Sequence, residues 1–413
     1  MIPYTAPELA PGTPLTILRH SLARSVQRGD AIRRLEQAFA SYVGVNYAVA
    51  FPSARSALTH LYTFFGRAGT VALPSYTCIP AVDAARWAGC RPHFLDVDLN
   101  AYNPLFTAAL KKKPLAAISL SYLYGLVGEV EPFLELATQE HIPIIEDSAI
   151  ALGGMVGKKK VGAVGDAGVF SLQESKIITA GRGGMVTTNN KELADALRAV
   201  PMLHNPTPKL LFTLSFSYLR RGCSPSFLYG LTMYRLKRLM TSKRLLPLLG
   251  SVMGFNPLEA VTGESPEQLP AEAGFSNVQA ALALQSLERI DYIVRKRREM
   301  AVRLQEELPA RFAFPREEIG RKHAWGRFPI RLPGVNKLRL QSAFLREGVE
   351  TAPNYPYLCP LTPHFSGYRE QDYPNALQAA KETLLLPFHT KLTDGDIDHI
   401  VAAARKIAKR GVL

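Results

Sequence analysis

The stretch from Ile144 to Asn190, IIEDSAIALGGMVGKKKVGAVGDAGVFSLQESKIITAGRGGMVTTNN, constrains this chain more than any other. Pro143-Ile144-Ile145 is a short apolar run ending in Glu146-Asp147, which reads as a buried strand with carboxylates at its end. In α/β sheets that edge is where ligands bind. A carboxylate there must be paired, or burial would be strongly destabilising. Val169–Leu172 reads as the next strand, and Lys176 follows it on an irregular segment. Gly181, Gly183 and Gly184 then let the backbone turn tightly or approach a neighbour closely.

Singly, Asp147 reads as a strand-end cap and Lys176 as a solvated surface lysine. Together, with Ser171 five residues before the lysine and a glycine-rich return five after it, they suit pyridoxal phosphate. A lysine carries the cofactor's aldehyde, and an acid keeps its pyridine nitrogen protonated so that the ring draws electrons.

The same residues carry a family resemblance. Glu146-Asp147-Ser148-Ala149, Gly165-Asp166, Phe170-Ser171, Lys176 and Gly181-Arg182-Gly183-Gly184-Met185 resemble the core of the DegT/DnrJ-type sugar aminotransferases, fold-type I pyridoxal phosphate enzymes. The resemblance implies Lys176 as the Schiff-base lysine, Asp147 on the pyridine nitrogen and Ser171 on the cofactor phosphate. It implies a large domain, residues 1–262, with a mostly parallel sheet flanked by helices, and a smaller C-terminal α+β domain, residues 263–413. It also implies a homodimer and two small-molecule substrates: an amino donor, by family habit glutamate, and an anionic keto-sugar on a nucleotide or other carrier. A dehydrating branch of the family has His in place of the lysine, and Lys176 argues against that branch.

The chain departs from the family pattern at several places around the cofactor. Pro52-Ser53-Ala54-Arg55-Ser56 opens a helix whose first amides suit a phosphate. Ala54 and Arg55 stand there for Gly and Thr, and Arg55 would add a charge. Cys78 replaces the aromatic residue that stacks on the ring. Ile150 stands where Gln or His touches the ring oxygen, and Gln173 replaces a His three residues before the lysine. Glu272 and Gly274 occupy positions that in relatives carry an Asn and an Arg for the partner's phosphate. These changes leave a second reading: a degenerate, cofactor-binding member with a regulatory or membrane-recruited role.

Strand, helix and strand alternate from Val45 to Leu172, the pattern of a parallel sheet covered by helices on both faces. At 413 residues the chain is long enough for two domains. Four scattered cysteines, Cys78, Cys90, Cys223 and Cys359, show no zinc spacing and read as thiols of a reducing cytoplasm. The N-terminus lacks the features of a signal peptide, and no apolar run is long enough to span a membrane.

The net charge of +14 favours anionic partners, and nucleic acid ranks last among them because no recognition module is present. From Ala196 to Leu258 there are nine basic residues and no acid, interleaved with Leu, Phe and Tyr. Residues of about 203–258 read as an insertion. It suits an anionic membrane surface, with Phe212, Phe216, Phe227 and Tyr229 dipping in. A buried hairpin or dimer arm whose basic side chains snorkel is the other reading.

Overall fold

The computed structural model describes residues 1–201, 207–222, 225–231, 268–269 and 273–410. Seven strands form the central sheet: β1 (Tyr47–Phe51), β2 (Thr70–Pro74), β3 (Arg91–Leu95), β4 (Leu115–Ser121), β5 (Ile144–Asp147), β8 (Ala167–Ser171) and β9 (Gly184–Thr188). Between β5 and β8 lie two short strands, β6 (Met155–Val156) and β7 (Lys159–Lys160). The sheet order is β1-β9-β8-β5-β4-β2-β3. The pairs from β3 through β8 are parallel, whereas β9 runs antiparallel to both β8 and β1. This is the mostly parallel, helix-flanked sheet that the sequence implies.

Helices cover both faces. α1 (Thr13–Leu22), α2 (Ala31–Val43), α3 (Ala54–Leu61), α4 (Ile79–Trp87), α5 (Glu131–Glu140) and α6 (Lys191–Arg198) belong to the first half. α7 (Thr207–Gly222) and α8 (Ser226–Leu231) follow. The C-terminal part holds α9 (Asn277–Leu287), α10 (Ile290–Glu307), α11 (Lys337–Arg346), α12 (Pro374–Glu382) and α13 (Asp394–Arg410). It also holds β10 (Arg321–Lys322), which pairs with β6, and an antiparallel pair, β11 (Phe328–Ile330) with β12 (Leu384–Leu386).

One apolar cluster joins the α3–α4 face of the sheet to the C-terminal helices. The other fills the α2–α5 face with α9. This division explains a first difference: the sequence from Gly274 to about Leu308 reads as one long helix, and the structure holds two. Arg289 leaves helical geometry (φ −104°, ψ 4°), so α9 ends against α2 while α10 turns toward the C-terminal core.

A second difference is β9, which the sequence reading takes as part of a glycine-rich return. Its threonines look solvent-facing, yet both are buried. The Thr187 hydroxyl donates to the Gly162 carbonyl at 2.7 Å and the Thr188 hydroxyl to that of Asp166 at 2.7 Å. Satisfied hydroxyls of this kind disguise a buried strand.

α7 is docked rather than free. Leu210 and Leu214 pack with Val26, Val278 and Leu282 in a small separate core. α8 is tethered to the C-terminal part, the Ser226 hydroxyl donating to Asp396 at 2.6 Å and the Tyr229 hydroxyl to Glu350 at 2.7 Å. Tyr229 is thus turned inward and is not available to a membrane. Phe212 and Phe227 are exposed, and Phe216 stacks on Phe212. Arg235, Lys237, Arg238, Lys243, Arg244, Cys223 and Glu272 lie outside the described residues. Among the described residues no helix is long and apolar enough to cross a membrane, no metal-ligand cluster occurs, and Cys78, Cys90 and Cys359 form no disulfide.

Candidate active site

Three pieces of chain meet in one row at the carboxyl edge of the sheet. Phe51 pairs with Gly184, and Gly184 with Ser171, so the ends of β1 and β8 flank the start of β9. α3 begins directly after β1. The Ser53 hydroxyl caps it by accepting from the Ser56 amide at 3.1 Å. A Cβ on Gly184 would lie 2.6 Å from the Ala54 nitrogen. Only glycine lets β9 pass this close to the first amide of α3, and the Ser171 hydroxyl shares the row. A helix start plus a hydroxyl is a phosphate cradle.

Asp147 ends β5, one strand over, beside Ser121 of β4 and Val169 of β8. It is buried and accepts the Ala149 amide at 3.2 Å. Burial pushes its pKa up, against the Ala149 amide, the charge of Lys176 and the Ser121 hydroxyl. Its neighbour Glu146 has a different duty. It accepts the amides of Gly162, Val164 and Gly165, each at 2.8 Å, and the Tyr122 hydroxyl at 3.0 Å. Glu146 therefore fixes the loop into β8 and leaves Asp147 to face the site.

Lys176 sits on a tight loop. Its amide donates to the Gln173 carbonyl at 3.0 Å, and the Ala180 amide closes the loop on the Leu172 carbonyl at 3.0 Å. The return is clamped from α9. The Phe275 ring covers Gly183, where a Cβ would lie 2.4 Å from it, and Gln279 donates to the Arg182 carbonyl at 2.9 Å. Burial pulls the Lys176 pKa down. Cys78 and Asp147 oppose that shift, while the cation of Arg327 adds to it.

Asp147, Cys78 and Lys176 are therefore neighbours, with Ser171 and the Ala54 amide forming the adjoining cradle. Ile150 and Ser171 line a cavity of about 10 Å³ with Phe39 and Phe170. The Gln173 side chain faces solvent, and its amide donates to the Ser171 hydroxyl at 3.4 Å. Arg55 lays its guanidinium over Trp87, 5.6 Å from the ring centre.

The sequence reading missed two neighbours. Arg327 is buried and donates to the Ser175 carbonyl. Tyr355 is coupled to Cys78 and packs on Tyr76 and Tyr124, whose hydroxyls are 3.0 Å apart. The one available signal was an arginine set between Gly326 and an otherwise apolar strand.

These residues fit pyridoxal phosphate. The set supplies a buried carboxylate for the ring nitrogen, an amine with lowered pKa for the aldehyde, and a glycine-opened helix start for the phosphate. With the mostly parallel sheet, they define the class of fold-type I enzymes that use this cofactor.

Within that class, the family model for DegT/DnrJ/EryC1/StrS aminotransferases matches residues 17–208 and 254–405. The chain belongs to this family and is a pyridoxal-phosphate-dependent aminotransferase. Residues 209–253 fall between the two matched spans. GDP-perosamine synthase from Caulobacter vibrioides is 27% identical over 390 residues, 92% of this chain and 90% of the relative. The spore coat polysaccharide biosynthesis protein SpsC of Bacillus subtilis is 26% identical over 398 residues, 93% and 91% of the two chains. In fold, the aminotransferase TlmJ from Streptoalloteichus hindustanus superposes with a TM-score of 0.76 at 23% identity, covering 99% of each chain.

Proposed function

We propose that this enzyme is a sugar aminotransferase that moves an amino group from glutamate to the keto group of a nucleotide-linked or lipid-linked sugar in polysaccharide or secondary-metabolite synthesis. The observation that carries the reading is the meeting of Asp147, Lys176, Ser171 and the α3 start on one strand-end row. A relative named for a GDP-linked amino sugar supports the nucleotide carrier. The residues divide the labour. The Ser171 hydroxyl and the Ala54 and Arg55 amides hold the cofactor phosphate. Asp147 keeps a proton on the ring nitrogen, and Cys78 and Ile150 bound the ring. When bound, the cofactor supplies an electron sink for the carbon that gives up its proton. Lys176 Nζ, its pKa lowered, takes that proton and returns it.

Residues 1–262 and 263–413 are proposed as the two domains and the homodimer as the working assembly, in the cytoplasm. Light scattering that shows a monomer at working concentration would refute the dimer. For the reaction, purified enzyme should show the absorbance band of lysine-bound cofactor, bleached by glutamate. Mass spectrometry of products from a panel of keto-sugar nucleotides then identifies the acceptor. Absence of bleaching by any amino donor would refute the reading.

A second proposal, recruitment to an anionic membrane, is supported by exposed apolar side chains on adjacent helices. Leu15, Leu18 and Leu22 stand out from α1, and Phe212 and Leu219 from α7. With the acid-free sequence beside them, these suit shallow insertion next to basic residues. Salt-sensitive sedimentation with anionic but not neutral vesicles tests it. No binding at low salt would eliminate it.

A further inference from the structure

Two thiols meet where the C-terminal part crosses the large sheet. The Cys359 amide donates to the Ser75 carbonyl at 2.9 Å, and the Ile79 amide to the Tyr357 hydroxyl at 3.4 Å. These bonds lay residues 357–359 along residues 75–79. Between them the Cys359 thiol donates to the Thr77 carbonyl at 3.5 Å. Cys78 is the next residue, one peptide unit away. Backbone dimensions then hold its Cα within roughly 6.5 Å of the Cys359 sulfur. Turning the two side chains closes a gap of that size to a disulfide. Cys90 is engaged elsewhere, its thiol on the Tyr62 carbonyl at 3.7 Å.

The two thiols differ in what reaches them. Cys359 is fully buried; burial pushes its pKa up, and the charge of Cys78 adds to the rise. It therefore stays a thiol and is not the first to react. Cys78 is half-buried at the start of α4, and its charge acts on both Lys176 and Tyr355. It borders the space into which an aminotransferase admits its substrates, so a molecule as small as hydrogen peroxide reaches it by the same way. An aromatic side chain at this position would offer packing alone, whereas a thiol adds chemistry. A disulfide in a reducing compartment is typically transient and redox-sensing.

We infer that Cys78 is an oxidation site and Cys359 its resolving thiol, and that the disulfide joining them loosens the cofactor. The oxidant is hydrogen peroxide. The Cys78 thiolate attacks one peroxide oxygen, the O–O bond breaks, and the departing hydroxide takes a proton and leaves as water. Cys78 is then a sulfenic acid. The Cys359 sulfur attacks that of Cys78, its proton goes to the departing hydroxide, and a second water leaves. The two thiols together have given two electrons to the peroxide. The bond commits the Cys78 sulfur to Cys359, so the contact proposed above between Cys78 and the cofactor ring is lost. The effect on the cofactor rests on that reading of Cys78, whereas the bond itself rests on the meeting of the two thiols.

The test treats cofactor-loaded protein with hydrogen peroxide, alkylates it with iodoacetamide and digests it without reductant. Mass mapping should find the Cys78 and Cys359 peptides joined, lighter than their sum by two hydrogens. The cofactor dissociation constant, read from the absorbance band on dilution of the loaded protein, should rise by about tenfold on oxidation, the upper end of what a sulfur–ring contact is worth. Dithiothreitol should reverse both changes. Cys359→Ser keeps a donor for the Thr77 carbonyl, so the fold should persist. Its Cys78 should stop at the sulfenic acid, trapped by dimedone, and its cofactor affinity should not respond to dithiothreitol after dimedone treatment. Cys90→Ser should form the bond as wild type does. Cys78 still alkylated by iodoacetamide after peroxide, a bond from Cys78 to Cys90 or Cys223, or equal affinities of the joined and reduced proteins overturns the inference. Reduced protein that shows no band of lysine-bound cofactor overturns the reading of the site, and this inference with it.

Discussion

Replacing Asp147 with Asn is the sharpest single-atom probe of the cofactor arrangement. The side chain is buried at the end of β5, and its oxygen accepts the Ala149 amide at 3.2 Å. Asn keeps that acceptor and the volume, so the fold should persist. What disappears is the negative charge, on which Lys176 depends in part against burial and the Arg327 cation. The ring nitrogen would lose the partner that keeps it protonated. Removing one member of a buried charged pair costs roughly 3–5 kcal/mol. At about 1.4 kcal/mol per factor of ten, the donor half-reaction should slow by roughly 100- to 4,000-fold. Stopped-flow bleaching with glutamate measures the rate, and a thermal melt checks the fold. A rate within about 3-fold of wild type, with an unchanged melt, would show that Asp147 does not face the ring.

Other substitutions separate structure from chemistry. Glu146→Ala strips the acceptor from the buried Gly162 amide, at a cost of about 1–3 kcal/mol when left unpaired, and from the half-buried amides of Val164 and Gly165, so the urea midpoint should fall markedly. Gly184→Ala puts a Cβ 2.6 Å from the Ala54 nitrogen and should weaken cofactor binding in a titration of apoenzyme more than it lowers the melting temperature. Lys337 is buried and donates to the carbonyls of Asn354 at 2.7 Å and Tyr355 at 3.1 Å; burial pushes its pKa down to about 7. The unfolded chain binds that proton up to about pH 10.4, so between about pH 7 and 10 the unfolded state holds more protons and stability rises with pH. Denaturation across that window should show the rise in wild type and a smaller one in Lys337→Met; identical slopes would exclude Lys337 as the source.

The sheet was legible because parallel strands buried on both faces are written as apolar runs, and the run before Glu146-Asp147 ends where the structure ends β5. Lys176 and Asp147 were legible as a pair because two charges beside buried strands demand a common purpose. β9 was hidden by Thr187 and Thr188, whose hydroxyls are satisfied by carbonyls far back in the chain. Arg327 was hidden for a related reason. Among the described residues it pairs with no carboxylate, and its bond reaches to Ser175, 152 positions away. No local pattern encodes either. Tyr229 is the converse case: an aromatic in a basic apolar segment reads as a membrane anchor until its hydroxyl is seen on Glu350.

The central claim is that Lys176 carries the cofactor, and borohydride reduction of the loaded protein tests it directly. Reduction makes the lysine–cofactor bond permanent, and peptide mass mapping reads its address independently of turnover. The account predicts the cofactor mass on the peptide containing Lys176, and its absence from that position in Lys176→Ala protein that melts normally. Label on another lysine, or an undiminished label in Lys176→Ala, would contradict it.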